Sequence, residues 1–148
     1  MNSSNDDHLK GLSEAASGFE HPTLETYEAL HRLVLIAYGY RCAMVGEKFS
    51  SVPGTLHPFL DVVAIRPREQ GGELKVSNYL CLRRDAADAF RTGGIIVSSD
   101  YAIIADRAVV SRELTGALLD YLLIPEVTFL QPDQDALRYH RDWALRPD

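Results

Sequence analysis

The sequence predicts an α+β fold, and three observations carry that prediction. Apolar residues recur at helical spacing from Leu24 to Tyr38. Short apolar, β-branched runs bounded by Gly, Pro and polar turn residues follow in the middle of the chain. A late stretch, "QPDQDALRYHRDWAL", places a proline and acids first and arginines afterwards, the order that suits a helix dipole. With 148 residues, 46% of them hydrophobic, the chain is long enough for one compact core and too short for two ordinary domains.

The elements follow in order. Residues 1–22 are polar and acidic with few large apolar side chains, a composition that cannot offset the entropy of ordering, so a flexible tail is expected there and a single domain over 23–148. A first helix begins after Pro22 and Thr23: Leu24, Tyr27, Leu30, Val34 and Tyr38 form one apolar face, and Gly39 offers a stop. "YRCAMVG" reads as a short extended segment entering a turn at Gly46, followed by a loop rich in turn residues. "FLDVVAIRP" reads as a buried strand ending at a proline, "REQGGELKVSN" as a polar loop and "YLCLRR" as a second strand. "DAADAFRTGG" reads as a short helix with Asp85 near its N-cap and glycine at its end. "GIIVSSDYAIIAD" carries a hairpin signal, and "SRELTGALLDYLLIP" reads as a helix from a Ser111 cap to a stop at Pro125, weakened by Gly116.

Composition narrows function. No run of about 20 apolar residues occurs and no basic, apolar leader opens the sequence, so a soluble, cytoplasmic protein without a membrane partner is expected. Cys42 and Cys81 stand apart without a C-x-x-C pair and read as buried, reduced thiols. The net charge is −6, but residues 1–29 hold −5 of it. Within 60–93, Arg66, Arg68, Lys75, Arg83, Arg84 and Arg91 face Asp61, Glu69, Glu73, Asp85 and Asp88, a mildly basic patch. Phosphate-cradling G-x-x-x-x-G-K and G-x-G-x-x-G sequences and the G-x-S-x-G nucleophile turn are all missing.

Four pieces, "YGYRCAMVG", "LDVVAIRP", "NYLCLRRDAADAFRTGGIIVSSDY" and "LRYHRDW", stand in the order and at the spacing of the "YrCaitG", "LEAAHIxP", "NGLLLRxDLHxLFDxGLIxID" and "LxyHr" segments of HNH endonuclease-type domains. From about Leu30 to Leu145 the chain resembles that family. The resemblance implies a ββα-metal (His-Me finger) core with a flanking β-hairpin and helices at both ends. It also implies one divalent metal, a first-strand histidine that polarises the attacking water, a loop asparagine that holds the geometry, and a helix residue that helps bind the metal. Carried over position by position, the loop asparagine is Asn78, but the strand histidine falls on Ala64 and the helix histidine on Ala87. A methyl group neither accepts a proton nor ligates a cation.

The expected function is therefore that of a pseudo-nuclease without a cofactor. It would act either as a DNA-binding module through Arg66, Arg68, Lys75, Arg83 and Arg84 or as a protein-interaction and regulatory module, with self-association allowed. DNA and protein partners stand on nearly equal footing. The alternative is a residual nuclease that holds magnesium through Asp61 with Asp85 or Asp88. Asp85 reads more simply as a helix cap and Asp88 as a solvated face. His57 reads as a surface loop residue, and His140 as a packed, hydrogen-bonded one. Tyr139 and Trp143 read as core or interface residues rather than as a base-stacking platform. His8, His21 and His31 form no ligand spacing.

Overall fold

The computed structural model describes residues 24–53 and 56–147. The expected flexible segment over 1–22 lies outside the described residues.

Helix α1 spans Leu24–Ala37. It buries Leu30, Val34, Leu35 and Tyr38 along one stripe, whereas Tyr27, expected on the same face, stands at its exposed edge. The helix ends in a Schellman arrangement. Gly39 takes φ +61°, its N–H donates to Ile36 O at 2.9 Å, and the Tyr40 N–H donates to Leu35 O at 2.9 Å. A tight turn through Gly46 follows, closed by an Arg41–Lys48 bridge, so the extended entry expected for "YRCAMVG" is present only in outline.

Strands β1 (Leu60–Ala64) and β2 (Tyr79–Arg83) pair antiparallel, with Leu60 opposite Arg83 and Ala64 opposite Tyr79. The Ile65 N–H to Asn78 O bond, 2.7 Å, extends the ladder by one step. The chain passes from β2 directly into helix α2 (Arg84–Arg91), which packs on both strands. Its cap position is Arg83, without a side-chain cap bond, and Asp85 sits inside the first turn. The expected Asp85 N-cap is thus corrected: no loop separates strand from helix, and the carboxylate is drawn to the adjacent Arg83. Helix α1 covers β2 from the other side. The core between them holds Leu60, Val63, Leu80, Leu82 and Phe90, together with both cysteines, which are free and buried. Burial pushes the Cys81 thiol up to about 12, so it stays protonated.

Strands β3 (Ile95–Val97) and β4 (Ile103–Ala105) form the expected second hairpin around Ser98–Asp100, with Tyr101 at φ +68°. Helix α3 is short, Arg112–Ala117, capped by Ser111 Oγ accepting from Leu114 N–H. The helix expected to run on to Pro125 stops there. Leu118 turns extended, and the next residues give their backbone groups to two neighbours. Leu119 and Leu123 N–H donate to Met44 O and Ala43 O at 2.8 Å, and Leu122 N–H donates to Tyr101 O at 2.8 Å. Hydrogen bonds across the fold and burial of Leu122 outweigh a local helical preference already weakened by Gly116. Helix α4 spans Gln134–Ala144, capped by Asp133 accepting from Ala136 N–H, and packs on β3, with Arg141 Nη1 donating to Val97 O at 2.8 Å. No helix among the described residues is long and apolar enough to cross a membrane.

Candidate functional site

The β1–β2–α2 unit brings the singled-out residues of 60–91 together, and Asn78 braces it. The side chain is 3% exposed. Its Oδ1 accepts from Arg66 N–H at 3.0 Å, and its Nδ2 donates to Arg66 O at 2.9 Å and Glu73 O at 3.0 Å. One amide therefore satisfies three backbone groups of the loop joining the strands. Gly72 belongs to the same brace, because a Cβ there would lie 1.8 Å from Arg66 O.

Ala64 ends β1 and lines a cleft of about 580 Å3, while Ala87 is fully buried in α2. The acids nearby are taken up by arginines. Asp85 holds Arg83 in a two-point pair, Nε to Oδ1 and Nη2 to Oδ2 both at 2.8 Å, and Arg83 Nη1 reaches Glu47 at 2.9 Å. The hydrogen bonds from Arg83 hold the Asp85 carboxyl below the usual carboxylate range, and those to Asp85 raise Arg83. Asp61 lies 3.4 Å from Arg91 and 3.8 Å from Arg84, and Arg91 also reaches Asp88 at 3.5 Å. Among the described residues no three His, Cys, Asp or Glu side chains gather in a metal-holding arrangement.

The basic candidates divide in the same way. Lys75 pairs with Glu73 at 3.5 Å, and Arg83 is spent on Glu47 and Asp85. Arg66 bonds Gln70 O and lies 4.4 Å over the Tyr139 ring. Arg68 is part-buried at the start of the single turn Arg68–Gln70. Arg84 remains largely exposed. Arg84 and Arg91 share Asp61, Arg91 and Arg146 line the cleft, and Tyr139, also in its wall, joins it to Arg66.

His57 is corrected from a surface residue to a buried one, 5% exposed. Its Nε2 donates to Ser50 O at 2.9 Å, and its Nδ1 accepts from the Phe59 and Leu60 N–H groups, so both nitrogens are consumed in launching β1. His140 is packed and hydrogen-bonded: it stacks on Phe90 with centroids 3.7 Å apart, and Nε2 donates to Phe90 O at 2.8 Å. Its Nδ1 is buried without a partner. Desolvation holds this imidazole below its ordinary pKa, and burial does the same to His31.

The unfolded chain accordingly binds protons that the folded chain refuses. Stability is expected to fall as the pH drops below 6.5, by at most about 1.4 kcal/mol per pH unit for each histidine, and to level off below the folded-state values. Urea midpoints at pH 7.5 and 5.5 check this. A His140→Gln variant must lose part of the slope, and an unchanged slope would remove His140 as its source.

One feature of the cleft has no signal in the sequence, the arginine at Arg146, while Trp143, expected in core or interface, is 41% exposed and so stands outside the core. The i, i+4 spacing of Tyr139 and Trp143 is a usable signal, since it sets both on one side of α4, whereas Arg146 lies just past the helix end at Ala144.

No protein-family model matches the chain, and no curated protein is similar to it at a significant level. Among solved structures, a modification dependent TagI restriction endonuclease superposes on 80% of this chain with a TM-score of 0.59 and 23% sequence identity. The chain spans 38% of that protein's length. Likeness at this identity speaks to fold alone: the mixed α+β architecture of small hairpins and helices is shared with part of that restriction endonuclease.

Proposed function

We propose that the chain is a non-cleaving nucleic-acid-binding module built on an HNH-type, ββα-metal scaffold. One observation carries this reading. The hairpin–helix frame keeps its Asn78 brace, while the two reactive positions are the methyl groups of Ala64 and Ala87 and the neighbouring carboxylates are paired with arginines. Exposed Arg84, together with Arg91 and Arg146 in the cleft wall, supports contact with phosphates, and the restriction-endonuclease neighbour supports DNA as the polyanion. A magnesium-dependent alternative requires Asp61 to exchange its arginines for a cation, together with either Asp88 leaving Arg91 or Asp85 leaving Arg83.

The test is a gel shift of a DNA duplex over rising salt, paired with plasmid cleavage in magnesium, manganese, nickel and zinc. Retardation at low salt should weaken with a log–log slope of about −0.9 per phosphate contact. Arg84→Ala should flatten that slope by about one contact without selecting among sequences. The plasmid should stay intact. Lack of any shift at the lowest salt sinks the binding reading, and cleavage removed by Asp61→Ala would establish the residual nuclease instead.

A protein-interaction role, including self-association, is favoured by a different observation: Tyr121, Leu123, Val127 and Phe129 are exposed apolar side chains in one stretch after α3. Light scattering and a pull-down address it. A strict monomer without partners counts against it.

A further inference from the structure

We infer that the cleft beside Ala64 is a binding pocket for a planar heteroaromatic anion of the nucleoside monophosphate class. The inference takes its ligand class from the nucleic-acid reading above, while the pocket itself stands on its lining. At about 580 Å3 the cleft lies within the range of small-molecule sites. Its floor includes Val63, Ala64 and Ile65 at the end of β1, where the methyl of Ala64 leaves open space that a larger side chain would occupy.

The aromatic wall comes from α4. Tyr139 is held from both ends, with its hydroxyl donating to Gln70 Oε1 at 2.8 Å and Arg66 over its ring at 4.4 Å. Trp143 stands 5.7 Å from the His140 ring and keeps 41% of its surface exposed, which leaves indole area for a stacked base.

The polar groups are complementary to such a ligand. Because His140 Nε2 donates to the Phe90 carbonyl, its other nitrogen, Nδ1, carries a lone pair. That acceptor is buried and unpartnered in a residue only 5% exposed. His140 is one of the residues that line the cleft, and a ligand that displaced the packing over Nδ1 would have to bring a donor to it. Arg91 and Arg146 line the same cleft against a single acid, Glu69. Arg91 is shared with Asp61 and Asp88, while Arg146 makes no ion pair among the described residues and is the freer phosphate ligand.

Trp143 is the only tryptophan of the chain, so its fluorescence reports on this cleft directly. The experiment titrates the full chain with AMP, adenosine, inorganic phosphate and a ten-nucleotide single-stranded oligonucleotide. AMP should quench saturably, adenosine should bind roughly tenfold more weakly, and phosphate alone should leave the signal unchanged. Arg146→Ala, a surface change, should weaken AMP about tenfold, and Ala64→Leu should abolish quenching by filling the floor, with the melting temperature checked in both. An oligonucleotide that binds at least tenfold more tightly than AMP assigns the pocket to a nucleotide within a strand. Comparable affinity assigns it to the free nucleotide.

Lack of saturable quenching by either overturns the inference, as does quenching untouched by both substitutions. The duplex gel shift stays a separate readout. A chain that shifts duplex but ignores nucleotides loses only this pocket, and a chain that binds AMP but shifts no duplex loses only the wider reading.

Discussion

Replacing Asn78 by alanine is expected to lower the free energy of unfolding by about 3 kcal/mol. The amide meets the N–H and C=O of Arg66 and the C=O of Glu73, and truncation strands all three at once. Each unmet buried group costs about 1–3 kcal/mol, and the part-buried position of the loop lets water recover some of that. Against a total stability of about 5–15 kcal/mol the loss is severe. Asn78→Asp should fare little better, since a carboxylate cannot donate to two carbonyls. Urea denaturation measures both variants, and a loss below 1 kcal/mol for Asn78→Ala would show that the loop holds its shape without this brace.

Phe90→Ala is expected to cost about 4 kcal/mol. Phe90 is 1% exposed, sits where α2 meets the strands, and stacks on His140 across to α4. Its removal leaves a cavity between two elements distant in sequence, neither of which can collapse without pulling on its own strand. Thermal melts and urea midpoints measure the loss, and Phe90→Leu, which keeps most of the volume, should recover more than half of it. A melting temperature unchanged in Phe90→Ala would mean that α4 is held instead by Arg141 on Val97 O and by the Asp133 N–H donating to Ser77 O.

The hairpins and the terminal helices were legible because their signals are local. Apolar, β-branched runs mark Leu60–Ala64 and Ile95–Val97, helical spacing marks Leu24–Ala37, and Asp133 stands where an N-cap residue belongs. The segment after α3 was illegible for the opposite reason. Leu118–Ile124 is apolar enough for a helix, and what makes it extended is the backbone of Ala43, Met44 and Tyr101, none of them near in sequence. His57 misled in the same way. Its two nitrogens are consumed by Ser50 and by the first residues of β1, and that closure has no sequence signature.

Of the candidate site, the sequence by itself determined what the side chains at Ala64 and Ala87 can do. Methyl groups at Ala64 and Ala87 cannot take a proton or hold a cation in any fold. The amide at Asn78, its role as a loop brace implied by resemblance alone, proves buried and triply bonded. Only the tertiary structure decided which charges remain free. Arg83 and Arg84 are neighbours with identical side chains, yet Arg83 is closed between Glu47 and Asp85 while Arg84 stays largely exposed. Only the tertiary structure, too, set Trp143 and Arg146 beside Ala64, because the space they enclose exists where α4 crosses the end of β1. Composition and spacing report what a residue can do; whether it is left free to do it depends on partners that chain folding brings from far away.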